Sequence, residues 1–177
     1  LKTENLKGNG VKARVRMLDA NSNQIGDMLV YNIAVSETSN WADKVVEIEV
    51  PNNEKIKKIE VAYLYDNNIG NLWIDKISGS IEEIDKGIVK NSGFEAGMKN
   101  WGVWNANGNL KTSIDTTQKN EGNQSIKMYN GGTTAGRGTV AQVLESVSDA
   151  IGKKLVLTQS LKTENLKGNG VKARVRM

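Results

Sequence analysis

The side chains that could do chemistry in this chain are carboxylates, hydroxyls, amides and four tryptophans, because its 177 residues include no histidine and no cysteine. Ser-His-Asp and Cys-His nucleophiles, disulfides and zinc sites of the usual His/Cys kind are therefore excluded. Any metal would be a hard, oxygen-binding cation such as Ca²⁺. No apolar run approaches the roughly 20 residues that a membrane span needs, so we expect no membrane insertion.

Paired carboxylates are the remaining route to catalysis, since glycoside hydrolysis needs two of them about 5–9.5 Å apart across a cleft. Glu47 and Glu49 would share one face of a strand, and Glu82 and Glu83 are neighbours in a strand tail. Alternating charges on an exposed strand face are common, so the sequence predicts a protein without catalytic activity. The glycine-rich stretch at 131–138 lacks the Gly-Lys-Ser/Thr and the helix of a phosphate loop, and we interpret it as a flexible loop.

One segment occurs twice: residues 1–17, LKTENLKGNGVKARVRM, recur letter for letter at 161–177. Each copy holds five cations and one anion, so the second copy accounts for the whole net charge of +4 and for the basic pI of about 9.2. Binding of nucleic-acid phosphates needs a surplus of cations. We therefore expect no nucleic-acid partner.

The repeat has two explanations. The chain is either a window slightly longer than one period of a near-identical tandem array or a permuted domain with a deliberate overlap. The period of 160 residues is the size of a whole domain, which favours an array of domains. In that interpretation residues 1–84 are the C-terminal half of one unit and residues 85–177 the N-terminal half of the next. Together they form one domain if the chain closes.

Hydrophobic alternation predicts strands along the whole chain. Clusters of Asn, Gly and Ser, and the single Pro51, separate them. Only residues 146–152 resemble a helix, and that segment is too short to be stable alone. The predicted strands cover residues 11–18, 28–35, 45–50, 56–65, 72–84, 110–115, 124–130, 139–145 and 153–163, with a short opening strand within 85–95. Short strands at this spacing predict an all-β fold, an antiparallel β-sandwich of the jelly-roll type.

Four motifs carry a family resemblance when the chain is taken in cyclic order, from residue 85 through 177 and on from 18 to 84. They are NSGFE at 91–95 followed by Trp101, NEGNQSIKM at 120–128, NWADKVVEIEVP at 40–51 and GNLWIDKISGS at 70–80. In this order the chain resembles the jelly-roll carbohydrate-binding modules that accompany xylanases and other polysaccharide-degrading enzymes, the galactose-binding-domain-like sandwiches. One departure is Lys76, where the family often has a second aspartate.

The resemblance implies a structural Ca²⁺ that ties the opening segment to the closing strand. Its ligands would be Glu95, Asp75, the carbonyl of Gly93 and the turn at Glu121. Two carboxylates with carbonyls and water can complete the six to eight oxygens that Ca²⁺ takes. The alternative is that these carboxylates only face water at turns and strand ends, with the ammonium of Lys76 beside them.

The resemblance also implies a sugar-binding surface, on which flat rings stack against pyranose faces while amides bond the hydroxyls. Trp41, Trp73 and Trp101 match strand positions at which a ring usually belongs to the core. The predicted binding rings are therefore Trp104 beside three asparagines, Tyr129 at a strand end, and Tyr31 in mid-strand. The sequence leaves open whether these three rings converge.

Two functions follow. The first is a non-catalytic carbohydrate-binding module of a secreted or cell-surface bacterial protein, with a polysaccharide or other glycan as its partner. The second is a structural tandem-repeat sandwich without a sugar site, which forms surface arrays or filaments by strand exchange through residues 1–17 and 161–177. Near-identical copies and an aromatic content of 5% favour the second. One domain offers one slot for the two segments, and we expect 161–177 to take it because the chain break then falls at a turn.

Overall fold

The computed structural model describes residues 12–33, 38–81, 87–107, 109–145, 147–168 and 171–176. Ten strands make up most of them: β1 (Lys12–Leu18), β2 (Gln24–Asn32), β3 (Ser39–Glu49), β4 (Lys58–Ile81), β5 (Gly102–Asn107), β6 (Lys111–Asp115), β7 (Ser125–Asn130), β8 (Gly136–Glu145), β9 (Lys154–Gly168) and β10 (Val171–Arg176). Every described pairing is antiparallel. The described residues include a 3₁₀ turn at Ser148–Ala150 and no α-helix. The all-β antiparallel prediction is confirmed.

No helix in the described part of the chain is long and apolar enough to cross a membrane.

The long strand β4 is the centre of a curled sheet. Its first part, residues 58–65, pairs with β1, β8 and β10, and residues 68–81 pair mainly with β7 and β9. β3, β5 and β6 continue the sheet on β9, β8 and β7. Strands from both halves of the chain therefore alternate in one sheet that curls around one core. This architecture is consistent with the predicted sandwich, and the jelly-roll strand order stays a prediction.

One face of the sheet forms the core because alternate side chains of each strand point to it. On β4 these are Val61, Tyr63 and Tyr65, all almost fully buried. The hydroxyl of Tyr63 donates a hydrogen bond of 3.0 Å to Oε1 of Gln159, so this phenol is buried with an acceptor. Burial raises the pKa of Tyr63 far above its usual value.

The tryptophans predicted for the core divide into three environments. Trp101 is buried in the core cluster, 5.2 Å from the ring of Phe94. Trp73 is also buried, but its ring lies under the ammonium of Lys127 at 4.7 Å. Trp41 is only partly buried. Burial is thus confirmed for Trp73 and Trp101, whereas Trp41 keeps part of its ring in solvent.

The predicted turn at 66–71 is instead an irregular stretch inside β4. Asn67 (φ 53°) and Gly70 (φ 108°) take left-handed conformations, and the register with β9 shifts between Ile69 and Asn71. A Cβ on Gly70 would lie 2.2 Å from the carbonyl oxygen of Asn165, so only glycine fits there. The Asn/Gly cluster therefore marks a bulge at which two strands approach closely, and not a chain reversal.

Several strands also differ from the sequence prediction: β2 begins at Gln24, β3 begins at Ser39 and β9 extends to Gly168. β5 was not predicted, and β8 begins at Gly136, inside the stretch interpreted as a loop. Residues 87–101 form turns in place of the predicted opening strand, whose residues 85 and 86 lie outside the described ranges. The strong turn signals of Asn and Gly masked these short pairings, which depend on contacts with distant strands.

The two copies of the repeated segment pair with the same residues of β4. Ala62 has Arg14 of β1 and Arg174 of β10 as its Cα partners, and the neighbouring pairs follow the same register. Tyr31 of β2 likewise pairs with both Ala13 and Ala173. Residues 14–16 and 174–176 thus have the same partners on β4, and the expectation that 161–177 takes the slot stays a prediction.

Candidate functional site

A groove crosses the face of β4, β8 and β5 that is opposite to the core. It consists of two adjoining cavities of about 490 and 450 Å³, which share Glu60, Gly102 and Ala141. Sites for small ligands have volumes of this order. The residues that line the groove are Glu60, Leu64, Lys90, Asn100, Gly102, Val103, Trp104, Arg137, Thr139, Ala141, Gln142, Val143 and Glu145.

Strand alternation explains why these side chains meet. On β8, Val140 and Leu144 point into the core, so Thr139, Ala141 and Val143 face the other way. On β4, Glu60 and Leu64 alternate with the core residues in the same manner. Most of the groove is therefore built on strands, and Lys90 and Asn100 join it from the turns at 87–101.

Trp104 supplies the aromatic wall of the groove. It pairs with Thr139 across β5 and β8, and its side chain is 56% exposed although it is large and apolar. An indole ring held on a strand with one side open to solvent can stack on the apolar face of a sugar ring. Of the three predicted binding rings, Trp104 is the one that lines the groove.

Ion pairs lie beside this ring. Nε of Arg137 is 3.4 Å from Oδ1 of Asp66, a residue that is only 5% exposed. Arg16 of β1 lies 3.5 Å from the carboxylate of Glu60. The Nε atoms of Arg137 and Arg16 are buried without a hydrogen-bond acceptor. Guanidinium and carboxylate groups in this arrangement offer donors and acceptors for hydroxyls of a ligand.

The other two predicted rings do not line the groove. Tyr129 is 41% exposed on β7, where it pairs with Lys111 of β6 and its hydroxyl lies against Gly131. Tyr31 is half-buried on β2 and packs against the core. Burial, with a smaller effect of the negative charge of Glu49, raises the pKa of Tyr31.

The residues predicted to bind Ca²⁺ come together in a second site, which we call the acidic pocket. It has a volume of about 400 Å³. Its lining residues are Asp75, Lys76, Ser78, Ser92, Gly93, Glu95, Glu121 and Gly122. All four predicted ligand positions are among them, so the cyclic motif order brings distant segments to one place.

The carboxylate oxygens of Asp75 and Glu95 in the acidic pocket accept hydrogen bonds from backbone N–H groups. Asp75 is fully buried, and its oxygens accept hydrogen bonds from the backbone N–H groups of Lys76, Asn120 and Glu121 at 2.8–3.1 Å. Glu95 accepts the backbone N–H groups of Asn123 and Gln124 and the side-chain amide of Asn123. The backbone hydrogen bond from Asn123 is the main reason why the pKa of Glu95 is lowered.

The close approach of Glu95 to the turn at 120–124 is possible because residue 122 is glycine. A Cβ at its position would lie 2.5 Å from Oε1 of Glu95, and its φ of 67° also favours glycine. The carboxylates of Asp75 and Glu95 thus join the turn at 120–124 to the closing strand and the opening segment. This is the connection for which the resemblance invoked calcium.

The donor set fits calcium only in part. A Cβ on Gly93 would lie 3.8 Å from Oδ1 of Asp75 and 3.9 Å from Cγ of Glu95, so both residues lie close to Gly93. However, no three acidic side chains of the described ranges are grouped to hold one ion. Nζ of Lys76 lies 2.9 Å from Oε2 of Glu121, and this contact raises the pKa of Lys76. The ammonium of Lys76 thus pairs with the carboxylate of Glu121, one of the predicted ligands. Calcium would have to displace this ion pair, and its binding stays a prediction.

The sequence did not indicate the polar side of the groove. Arg137, Asp66 and Glu60 lie in segments interpreted as a loop, a turn and an ordinary exposed strand face. A signal was present in the alternation of Arg137, Thr139, Ala141, Val143 and Glu145, which continues the strand pattern backwards to Gly136. Comparison with known proteins finds no family whose sequence model matches this chain, and no similar curated protein or solved structure.

Proposed function

We propose that the protein is a non-catalytic carbohydrate-binding domain of a secreted or cell-surface protein, and that its groove binds a polysaccharide. The observation that carries the proposal is an exposed Trp104 ring in the same groove as Arg137, which is ion-paired with the buried Asp66. Sugars present apolar C–H faces and hydroxyl edges, so a ring next to fixed polar groups matches both. The two adjoining cavities favour a chain of several sugars over a single one.

The carboxylates support binding more than catalysis. Glu60 and Asp66 at the groove are ion-paired with arginines, which suits them to accept hydroxyl protons in hydrogen bonds. Glu47 and Glu49 lie on β3 and share Lys154, at 3.4 and 4.0 Å. Glu82 and Glu83, the other pair considered, lie outside the described residues.

Affinity electrophoresis in gels that contain neutral and acidic polysaccharides tests the proposal. We expect Trp104→Ala to abolish the retardation shown by the unchanged protein, since loss of a stacked anchor costs about 2 kcal/mol or more. Tyr129→Ala is the matched control, because it removes another exposed ring outside the groove. The proposal fails if no polysaccharide retards the unchanged protein, or if Tyr129→Ala abolishes retardation and Trp104→Ala does not.

The shared register of β1 and β10 favours a second candidate function, assembly by strand exchange. A segment 171–176 that leaves its own molecule would find the same partners along residues 60–65 of another copy. Such an exchange keeps the number of strand pairs unchanged, so only a high local concentration favours it. Closely spaced copies in a surface array would supply that concentration.

Intermolecular disulfide trapping tests exchange, because the chain has no cysteine of its own. A chain with Ala62→Cys and a chain with Arg174→Cys are refolded together and oxidised. Exchange predicts linked heterodimers whose yield rises with concentration. Glu54→Cys, in an exposed turn, replaces Ala62→Cys as the collision control. Equal heterodimer yields in both mixtures would rule assembly by strand exchange out.

A further inference from the structure

Two strands of one chain pair with β4 at residues 60–62. Arg14, Val15 and Arg16 of β1 pair there in the same register as Arg174, Val175 and Arg176 of β10. A strand has two edges, and each edge hydrogen-bonds one neighbour at a given residue. On their other side β1 and β10 also share a partner, because Tyr31 of β2 pairs with both Ala13 and Ala173, so both strands lie between β2 and the same edge of β4. The pairings of β1 and β10 are therefore alternatives.

We propose that the chain folds in two mutually exclusive frames that share one strand slot. In the first frame β1 fills the slot and β10 is released. In the second frame β10 fills it and β1 is released. The rest of the sheet is common to both frames, and the proposal is independent of what the groove binds.

The competition is confined to the second part of the repeated segment. Residues 161–168, the first part of the second copy, lie within β9 and pair with β4. Leu161, Thr163 and Leu166 are nearly fully buried there. This part continues directly from residues 154–160, so β9 keeps its place whichever strand fills the slot.

The two frames are close in free energy because the competing strands are identical in sequence. Their backbone pairs with residues 60–62 of β4 are the same, and the frames differ in the connections of the two strands. β1 continues into β2 through a turn in which Oδ1 of Asp19 accepts the N–H groups of Asn21 and Asn23. β10 follows β9. Two packings that differ only in such connections make a bistable element.

Glu60 has an arginine as its backbone partner in either frame. Arg16 pairs with Glu60 in the first frame, where the two side chains also form an ion pair, and Arg176 has the same register position in the second frame.

Disulfide trapping within one chain tests the two frames. The variant that carries Arg14→Cys, Ala62→Cys and Arg174→Cys is oxidised at low concentration, and peptide mapping gives the ratio of the 14–62 and 62–174 disulfides. Directly paired antiparallel residues are close enough to be bridged. We expect both disulfides. Adding Val175→Pro should leave mainly the 14–62 bond, and Val15→Pro mainly the 62–174 bond, because proline breaks a ladder.

The two prolines are matched, since Val15 and Val175 both pair with Val61. One disulfide alone in all three backgrounds, or a ratio that neither proline moves, would overturn the proposal. Hydrogen exchange of the unchanged chain gives a measurement that needs no variant. We expect residues 12–17 and 172–176 both to exchange faster than residues 155–161 of β9. Protection of either copy equal to that of β9 would also overturn the proposal.

Discussion

The groove and the acidic pocket are both polar, but they differ in where their hydrogen bonds go. In the acidic pocket the oxygens of Asp75 and Glu95 are occupied by N–H groups of the chain itself. In the groove Trp104 is exposed, and the side chain of Arg137, which is ion-paired with Asp66, is partly exposed. A polar cluster whose hydrogen bonds are all made within the chain holds loops against strands, whereas exposed rings and charged groups can contact a ligand.

The strongest test of this contrast is the loss of Asp75. Asp75→Ala leaves three backbone N–H groups without their acceptor in a buried place, and each such group costs about 1–3 kcal/mol. We expect the free energy of unfolding to fall by about 3 kcal/mol or more, measured by urea denaturation. Asp43→Ala, which removes a partner of Ser160 on a neighbouring strand, serves as a comparison. An unchanged stability of Asp75→Ala would mean that the acidic pocket fastens nothing.

Calcium binding also tests the difference between the two sites, because a bound ion would make the acidic pocket a ligand site as well. If Glu95, Asp75, Gly93 and Glu121 hold Ca²⁺, calcium at 100 times its dissociation constant stabilises the fold by about 2.7 kcal/mol. We expect Lys76→Asp to tighten binding, since it replaces the competing ammonium by a carboxylate. A melting temperature that ignores both Ca²⁺ and EGTA, in the unchanged chain and in Lys76→Asp, would remove calcium from the pocket.

Acid should reduce the stability that carboxylates with hydrogen bonds inside the chain give to the fold. Burial alone would raise the pKa of Asp115, but hydrogen bonds from Thr117, Trp73 and Gln118 outweigh it and lower the pKa. A carboxylate with a lowered pKa in the folded state stabilises the fold above its unfolded pKa of about 3.9, and this contribution disappears as the pH falls further. We expect Asp115→Asn to cost about 1–2 kcal/mol at pH 7.

The pH dependence separates that role from simple packing. Asn at position 115 cannot ionise, so the loss of stability between about pH 5 and pH 2 should be shallower for Asp115→Asn. Thermal unfolding across this range measures it. Parallel curves for the variant and the unchanged chain would contradict the assignment.

The smallest expected effect concerns one hydroxyl of the groove. Thr139→Val keeps the shape of the side chain but removes its hydroxyl, and loss of a hydrogen bond from this hydroxyl to the polysaccharide would weaken binding by about 1 kcal/mol. Thr133→Val, in an exposed loop outside the groove, is the matched control. Titration calorimetry with the retained polysaccharide compares the two. Equal affinities for both variants would place the ligand away from β8.

Sequence reasoning predicted local patterns better than long-range contacts. Alternation identified most strands, and the burial of Trp73 and Trp101 followed from their strand positions. The residues of the acidic pocket also meet as the cyclic motif order implied. These features depend on the period of a strand or on motifs several residues long.

The groove could not be predicted in the same way. The sequence predicts Trp104 as a binding ring, and this ring lines the groove, but Arg137 and Asp66 lie in Asn- and Gly-rich stretches that have turn composition. Their pairing joins β8 to a bulge in β4, and neither segment signals the other along the chain. Composition reports local preference, whereas a site on a sheet face is set by register between distant strands.

The long strand β4 also has a consequence for the order of folding. Its partners β7, β8 and β9 all follow it by a large part of the chain, as in the pairing of Asn68 with Gly168. Folds that rely on such distant contacts form slowly. During synthesis residues 68–81 of β4 would emerge without either neighbour, and the edge that pairs with β9 would stay open until β9 has left the ribosome. Over that interval the apolar face of β4 is open to wrong partners, so chaperones that shield nascent strands would decide how much of the chain reaches the folded state.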